Sequence, residues 1–452
     1  MINTFRRFAL GSSLMERALR SSAITSLGFV AYQFLRLLSN LVLTRILFPE
    51  AFGLMALISV VMMGLAMFSD VGVSPAIMQS KRGDDRDFLN TAWTIQIIRG
   101  ACLWVVACLL AYPAALLYNE PQLTLLLPVA ALSLLINGFN PTKLETANRH
   151  LRAGRVTAID LGVQIVGLIV AIAAAWLTQS VWALVISGIA AAAVQVVFLQ
   201  VFLPGPPNRF RWEREAAQEL ISFGKWIFLS TVCGFFIGQG DKLVIGKYLS
   251  LEEFGVYNIG FFLASFPLLM GGLVTRKVLI PIYRESPPRE SRENFLRLRK
   301  MRLPATAVLI VMLLAVAALG PWLVNLLYDP RYMAAGAVVA LLACMQIPQV
   351  IVLTYDQAAL ATGDSKRFFV LALARAILIF GGLIVGLEAY GLIGAMLGLG
   401  AAYVLAYPVV IWLARHQGAW DPLHDAIYSI LGMIGGGLIV MLHWDSILVL
   451  SH

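Results

Sequence analysis

Long runs of apolar residues, separated by short polar breaks, dominate the amino-acid sequence. Thirteen of these runs are long enough to cross a bilayer, because a spanning helix needs about 20 residues. They lie at 22–46, 51–79, 88–112, 122–142, 156–177, 180–203, 222–248, 254–282, 303–327, 333–360, 367–390, 391–414 and 425–444. The pattern predicts an all-α polytopic membrane protein.

The composition supports this prediction. Of the 452 residues, 60% are hydrophobic and only 13% are charged, and the mean hydropathy is +0.81. A soluble chain would carry about 25% charged residues. Thirteen spans would use about 260 residues, so only short loops remain between them. The sequence therefore excludes an extramembrane catalytic module of useful size and predicts that the protein is not an enzyme.

Positive charge is distributed unequally between the two sides of the predicted spans. When loops are assigned to alternate sides, 25 Lys and Arg fall on the side of the N-terminus. Only Arg45, Lys247 and Arg331 fall on the opposite side. The positive-inside rule then predicts a cytoplasmic N-terminus. The net charge of +9 reflects topology and lipid headgroup contact, and it gives no support to nucleic-acid binding.

The first 21 residues contain four arginines but no apolar core followed by a small-residue cleavage site. This is not the pattern of a cleavable signal peptide. Apolar residues recur at roughly helical spacing, at Phe5, Phe8, Met15 and Leu19. The segment 1–21 is therefore predicted to be amphipathic and to lie on the cytoplasmic membrane surface.

A short repeat indicates how the spans are organised. Residues 47–53 (LFPEAFG) match residues 249–255 (LSLEEFG) at an offset of 202, and Arg45 matches Lys247. Parallel repeats place a substrate site at the interface of two lobes. Chance similarity between two short turns is the alternative. The predicted organisation is an N-terminal segment at 1–21, an N-lobe of spans 1–6 at 22–203, a linker at 204–221, a C-lobe of spans 7–12 at 222–414, and a C-terminal extension with span 13 at 415–452.

Polar residues form a stripe along the first span. Gln33, Arg36, Asn40 and Thr44 share one face of a helix. An ionised residue at bilayer depth costs roughly 2.5–3.5 kcal/mol unless it faces a cavity or a partner. Span 8 carries a comparable set, which consists of Asn258, Ser265, Gly272, Arg276 and Lys277.

Further polar or charged residues occur inside other spans. They are Asp70, Gln96, Arg99, Asp241, Lys242, Asp356 and Arg375. Cations from both halves predict a water-filled cleft between the lobes, and guanidinium and ammonium groups suit a diphosphate or a carboxylate.

Three alternatives remain open for these charges. Arg276 and Lys277 lie near a helix end, from which long side chains can reach the headgroups. Asp241 and Lys242 can brace their lobe by pairing locally. Two carboxylates, those of Asp70 and Asp356, can serve as ion-pair partners of Arg36, Arg99 or Arg375.

Metal and cofactor chemistry has little support. The four cysteines lie in apolar runs without a CxxC motif, and the five histidines are scattered and fall mostly in predicted loops. We expect no cofactor and assign no histidine a ligand role.

Two stretches resemble a known family. LVLTRILFPEAFGLMAL (41–57), continued by FSDVGVSPAIMQ (68–79), resembles the N-terminal signature of bacterial O-antigen and exopolysaccharide flippases. These are the Wzx-type branch of the multidrug/oligosaccharidyl-lipid/polysaccharide exporter superfamily. GDKLVIGKYLSLEEFGVYNIG (240–260) is similar to the seventh helix and following turn of that branch.

The resemblance implies two six-helix lobes around a central basic cavity, with one or two C-terminal helices. Relatives often have fourteen helices, whereas this sequence predicts thirteen. It also implies alternating-access transport of undecaprenyl-diphosphate-linked oligosaccharides for O-antigen, capsule or exopolysaccharide assembly. The implied partners are this lipid-linked glycan, membrane lipids, an H⁺ or Na⁺ counter-ion and other polysaccharide-assembly proteins.

Roles follow for the intramembrane residues. We expect the lipid diphosphate to be bound mainly by Arg36, Arg276 and Lys277, and the wider substrate site to include Gln33, Asn40, Arg99, Asn258 and Arg375. A gate is expected where Arg45 and Lys247 can pair with Glu50, Glu252 or Glu253. Ion coupling is assigned to Asp70 and Asp241, with Lys242 beside the latter.

Three other functions compete with this hypothesis. An ion-coupled multidrug or small-molecule antiporter on the same scaffold needs acidic residues, which basic ones outnumber here. An intramembrane glycan polymerase or ligase usually needs a large external loop, and the predicted external turns are short. A nonenzymatic scaffold would leave the intramembrane charges without a purpose.

Overall fold

The computed structural model describes residues 14–70, 72–150, 152–362 and 364–451, without the side chains at 14–22, 222–230, 274, 276–278, 281, 357, 360, 362, 365 and 451. All regular secondary structure in these ranges is helical, which confirms the predicted all-α class. The first 13 residues of the predicted amphipathic segment 1–21, and the side chains of the remainder, lie outside the described part.

The chain divides into two compact units. Unit 1 comprises Met1–Leu47 and Ile58–Val232, and unit 2 comprises Phe48–Leu57 and Cys233–His452. The predicted linker at 204–221 lies inside unit 1. Its second half begins a long helix whose Ala216, Ala217 and Leu220 pack against Phe88 and Ile77 of unit 1. Apolar burial therefore places the boundary further along the chain than the polar composition of 204–221 predicts.

Ten described α-helices begin before residue 233. They are α1 (Leu14–Ile46), α2 (Pro49–Phe68), α3 (Val73–Gln79), α4 (Arg86–Tyr118), α5 (Leu123–Ala130), α6 (Leu132–Gly138), α7 (Lys143–Arg149), α8 (Ala153–Thr178), α9 (Trp182–Phe202) and α10 (Arg214–Tyr248). In unit 1, α8 packs against both α1 and α9, and α4 packs against α5 and α6.

The remaining described α-helices belong to unit 2. They are α11 (Leu251–Ala264), α12 (Phe266–Glu285), α13 (Arg292–Leu327), α14 (Ala334–Met345), α15 (Ile347–Val352), α16 (Asp356–Thr362), α17 (Ser365–Leu405), α18 (Tyr407–His416), α19 (Pro422–Leu442) and α20 (Trp444–Leu448). Helix α14 is the centre of this unit, because it contacts α11, α13, α17 and α19 and nearly all its side chains are buried.

Polar side chains fix where many of these helices begin. Asp85 caps α4 by accepting from the backbone N–H of Asp87. Ser250 and Glu253 form a reciprocal capping box at the start of α11. Such caps satisfy backbone N–H groups that have no partner within the helix, and each stabilises the helix by about 1 kcal/mol.

Eight described helices are long and apolar enough to cross a membrane, and the number is ten if each of two bent helix pairs forms one span. The chain is therefore a multi-pass membrane protein. The number is below thirteen partly because the run at 333–360 is divided among α14, α15 and α16. Pro348 lies in the first turn of α15, and proline cannot donate the backbone hydrogen bond that a continuous helix needs.

Helix α17 bends back on itself at its middle. Tyr390 and Gly391 have non-helical dihedral angles, with φ of −144° and +57°. The positive φ at Gly391 is a conformation that glycine adopts without a steric penalty. Gly386 approaches the backbone of Gly394 and, further along the same two arms, Gly382 approaches Gly398. The break lies where the sequence predicts the boundary between spans 11 and 12.

Candidate functional site

The polar stripe of the first span lies on α1, in unit 1. Gln33 and Thr44 are buried, Asn40 is half-buried and Arg36 is exposed. The Thr44 hydroxyl donates to the carbonyl of Asn40 at 2.8 Å, so it is satisfied by its own helix. Arg36 is the exposed cation of this stripe.

Arg99 connects α4 to the end of α2. Its Nε donates to the Ser69 hydroxyl at 3.0 Å, and its Nη2 donates to the carbonyl of Ala66 at 2.6 Å. Ala66 lies in the last turn of α2, where carbonyl groups lack partners within the helix. Asp70 follows directly, accepts from the N–H of Gly72 at 2.9 Å and interacts electrostatically with Arg99. Arg99 thus stabilises a helix end inside unit 1.

Asp241 and Lys242 lie near the end of α10, in unit 2, and both contact α11. The Tyr257 hydroxyl donates to Asp241 at 2.7 Å, and both side chains are buried. The ammonium of Lys242 lies 5.1 Å from the ring centroid of Phe261, within the range of a cation–π contact. This is the local bracing that the sequence leaves open for the pair.

Arg375 of α17 pairs with Asp356 at the start of α16. The Nη1 to Oδ2 distance is 2.6 Å, and the two side chains are 13% and 17% exposed. Among the described residues, Arg375 Nη2 and Asp356 Oδ1 have no hydrogen-bond partner although both are buried. The ion-pair alternative for Asp356 is the arrangement found.

Asn258 lies on α11, where its side chain donates to the carbonyl of Phe254 in the same helix at 2.7 Å.

The predicted gate residues have different surroundings. Lys247 and Arg45 are exposed, and the carboxylate of Glu253 caps α11 by accepting from Ser250. Glu50, in the first turn of α2, interacts electrostatically with Arg331. Arg331 also forms an ion pair with Asp329 at 2.7 Å. Glu253 therefore has a structural use that the gate prediction did not include.

Arg276 and Lys277 lie on α12, and their side chains are outside the described part of the structure. Their assignment to the diphosphate stays a prediction.

A buried polar cluster in unit 2 was missed from the sequence. Arg302 of α13 is 1% exposed, although it is one of the 25 Lys and Arg that the sequence places on the side of the N-terminus. Its Nη1 donates to the carbonyl of Ala419 at 2.8 Å, and its Nη2 donates to the Tyr283 hydroxyl at 2.9 Å. The guanidinium carbon lies 4.4 Å from the ring centroid of Tyr355.

The same cluster contains a histidine–carboxylate pair. His424 is fully buried, with Nδ1 2.9 Å from Asp425 and Nε2 2.9 Å from the Thr306 hydroxyl. Asp425 also accepts from the Tyr355 and Tyr407 hydroxyls, each at 2.7 Å. These contacts fasten α19 to α13 and α18. The signal in the sequence was the adjacent His-Asp pair at the start of an apolar run.

A second missed feature is a pocket inside unit 1, among α1, α6, α8 and α9. Its volume is about 540 Å³. Its lining includes Asp160, Gln164 and Gln195, which the sequence analysis passed over although all three lie within predicted spans.

The chain matches a known protein family over most of its length. The model of a family described as polysaccharide biosynthesis protein matches residues 42–355. The chain belongs to that family. The resemblance to Wzx-type flippases, drawn from residues 41–57, 68–79 and 240–260, is thereby confirmed.

Two curated relatives carry names from polysaccharide synthesis. The succinoglycan biosynthesis transport protein ExoT of Rhizobium meliloti is 25% identical over 381 residues, which cover 82% of this chain and 76% of the relative. The teichuronic acid biosynthesis protein TuaB of Bacillus subtilis is 20% identical over 303 residues, or 66% of this chain. The match spans 62% of the length of TuaB.

Solved structures share the fold. The lipid II flippase MurJ, in an inward-closed conformation, matches with a TM-score of 0.65 at 12% identity, over 93% of this chain and 98% of that chain. An inward-facing multidrug resistance MATE family transporter of the MOP superfamily matches with a TM-score of 0.63 at 15% identity, over 86% and 95%. At this level of identity the likeness shows the fold alone.

Proposed function

We propose that the protein is a flippase that moves undecaprenyl-diphosphate-linked oligosaccharides across the bacterial inner membrane by alternating access. The observation that carries the proposal is the family match over 42–355. The relative named as a succinoglycan biosynthesis transport protein supports a transport role in the same process. The translocated lipid-linked oligosaccharide would supply O-antigen, capsule or exopolysaccharide assembly. The protein itself would form no covalent bond in the glycan.

The charges support an anionic substrate. Arg36 is exposed on α1 within a predicted span, and a guanidinium binds phosphate through a bidentate fork. We assign the lipid diphosphate to Arg36 together with Arg276 and Lys277. We assign Arg99, which donates to the Ala66 carbonyl, and Arg375, which pairs with Asp356, to positioning the helices around the substrate.

The distribution of positive charge supports an orientation of the protein in the membrane with a cytoplasmic N-terminus. The substrate would then enter from the inner leaflet, and rocking of the two halves would expose it on the other side. Asp70 and Asp241 remain our candidates for coupling to H⁺ or Na⁺. An ion-driven multidrug antiporter is the second candidate, because a MATE family transporter shares the fold.

To test this function, the purified protein is reconstituted in vesicles that contain a fluorescent undecaprenyl-diphosphate-linked glycan. An impermeant reductant quenches only the label in the outer leaflet. We expect the protein to equilibrate the label between leaflets. Arg36→Ala should slow this at least tenfold, which corresponds to about 1.4 kcal/mol, and Arg36→Lys should be intermediate because the ammonium lacks the planar fork.

Arg155→Ala is the matched control, since Arg155 is an exposed arginine of the same unit without an assigned role. Failure of the unaltered protein to move the glycolipid would refute the function, and ion-driven efflux of ethidium instead would favour the antiporter. Unimpaired transport by Arg36→Ala at normal abundance would remove only the role of Arg36.

A further inference from the structure

The pocket in unit 1 lies at one end of four helices. Its lining residues on α8 are four to eleven positions after the start of that helix at Ala153, and those on α9 are seven to fourteen positions before its end at Phe202. At 1.5 Å per residue, the pocket begins roughly 6–10 Å inside the ends of these helices. Under the proposed orientation, this is the cytoplasmic half of the membrane.

Four carboxylate or amide side chains in the pocket lack partners. Asp160, Gln164, Gln195 and Asn137 line it, and within the described ranges none of their side chains makes a hydrogen bond or an ion pair. A carboxylate and three primary amides are strong hydrogen-bonding groups. Leaving them without partners at this depth is costly, so the pocket must hold water or a polar ligand.

The set of groups indicates which ligand this is. Hydroxyl groups of Thr25, Ser133 and Thr157 add to the amides, no Lys or Arg is present, and Phe29 and Tyr32 supply aromatic surface. Amides both donate and accept, as sugar hydroxyls do. The 540 Å³ volume is typical of small-molecule sites, ~300–1,000 Å³. A neutral polyhydroxylated ligand matches this lining better than an anion does.

The pocket also adjoins the residue assigned to the diphosphate. Tyr32 lies one turn before Arg36 on α1 and interacts with it electrostatically. A diphosphate held by Arg36 would therefore place the sugar attached to it at the mouth of the pocket.

We propose that this pocket of unit 1 is a glycan-binding subsite, in which Asp160, Gln164, Gln195 and Asn137 hydrogen-bond the sugar rings nearest the diphosphate. The proposal rests on the proposed function for the identity of the lipid-linked substrate. It assigns glycan selectivity to unit 1.

Gly188 provides a probe of the pocket. It lies on α9 in the lining, and a Cβ atom built there would meet no atom within 4 Å. A cysteine at this position therefore fits without displacing a neighbour. Gly381, on α17 in unit 2, is the matched control, because a Cβ there also meets nothing within 4 Å.

The experiment measures alkylation of Gly188→Cys by N-ethylmaleimide in the full chain, with the four native cysteines replaced by alanine. Two lipids are compared in nanodiscs: the lipid-linked oligosaccharide pool extracted from the source organism, and synthetic undecaprenyl diphosphate without sugar. We expect the glycan-bearing pool to slow alkylation at least fivefold and the sugar-free lipid to slow it less than 1.5-fold. Gly381→Cys should respond to neither lipid.

Two further variants test the assigned groups. Replacing Gln164 and Gln195 together by leucine should abolish the protection of Gly188→Cys, because leucine keeps the approximate size and removes the hydrogen bonds. Asp160→Asn should retain most of the protection, since an amide can still hydrogen-bond a hydroxyl.

Equal slowing by both lipids would overturn the proposal, and so would the absence of slowing. Slowing by sodium chloride alone would overturn it in favour of a cation site. Translocation of the extracted pool by the unaltered protein is measured in parallel. Failure there refutes the flippase function, whereas the dependence of alkylation on the glycan decides the pocket separately.

Discussion

Gly53 and Gly255 pack backbone against backbone in unit 2, although they lie 202 residues apart in the sequence. A Cβ atom added to either glycine would lie 3.2 Å from the backbone nitrogen of the other. The two residues also occupy equivalent positions in the repeated turn at 47–53 and 249–255. The repeat therefore brings its two copies into direct contact through the residue type that allows the closest approach.

Alanine at either glycine should destabilise the protein. The added methyl group at position 53 would meet the carbonyl of Leu251, and at position 255 that of Pro49. Overpacking against backbone costs about 1–3 kcal/mol. Gly53→Ala and Gly255→Ala should each lower the unfolding temperature in detergent. The comparison is Gly437→Ala, where a Cβ meets no atom within 4 Å; equal stability of all three variants would contradict the close contact.

Arg302→Ala should strongly destabilise unit 2. It removes a buried guanidinium and leaves the Tyr283 hydroxyl and the Ala419 carbonyl without their donor. Each buried acceptor left without its donor typically costs about 1–3 kcal/mol. Arg297→Ala on the same helix is exposed and should change stability by less than about 0.5 kcal/mol. Chemical unfolding followed by tryptophan fluorescence would measure both, and similar values for the two would argue against the cluster.

Asp356→Asn should reduce membrane abundance several-fold, because it leaves the largely buried Arg375 without its anionic partner. The double variant Asp356→Asn with Arg375→Gln should recover most of the loss, since no unpaired charge remains. Immunoblotting of membranes with a tagged chain gives the measurement. If the double variant is as depleted as the single one, the pair has a role other than mutual neutralisation.

Low pH should weaken the contact at the start of α4. The Arg82 guanidinium and the N–H of Asp87 hold the pKa of the Asp85 carboxyl below its usual value. A lowered native pKa means that the stabilisation is complete above pH ~4 and is lost as the pH falls through the native pKa.

Asp85→Asn should therefore lower the unfolding temperature by about 1–2 °C at neutral pH, as expected for a partly exposed ion pair. The difference from the unaltered protein should shrink as the pH falls through the native pKa of Asp85. Glu290→Gln, an exposed carboxylate whose charge should matter little, is the control. A difference that does not shrink as the pH is lowered would show that the charge of Asp85 is not its cause.

Local chemistry made part of this fold predictable. Apolar runs identified the membrane-spanning character, and the repeat identified the turn that contains Gly53 and Gly255. The boundary between the apolar runs 367–390 and 391–414 predicted the position of the break at Tyr390 and Gly391. These features depend on residues close together in sequence, for which length and composition are sufficient evidence.

Burial of polar groups was harder to predict. Arg302 has the local sequence of a cytoplasmic loop cation, and only the packing of α13 against α19 shows that it is enclosed. His424 likewise lies beside a loop in the sequence. Gln164 and Gln195 come together only because α8 and α9 are adjacent. The residues that lie beside each of these side chains are distant in sequence, so periodicity alone could not connect them.

The two arms of α17 have a consequence for how the chain enters the membrane. With only Tyr390 and Gly391 outside helical geometry, and with glycine backbones in contact on both sides of the bend, there is no hydrophilic connector to be moved across the bilayer by itself. We therefore expect the two arms of α17, within Ser365–Leu405, to enter the membrane together as one helical hairpin.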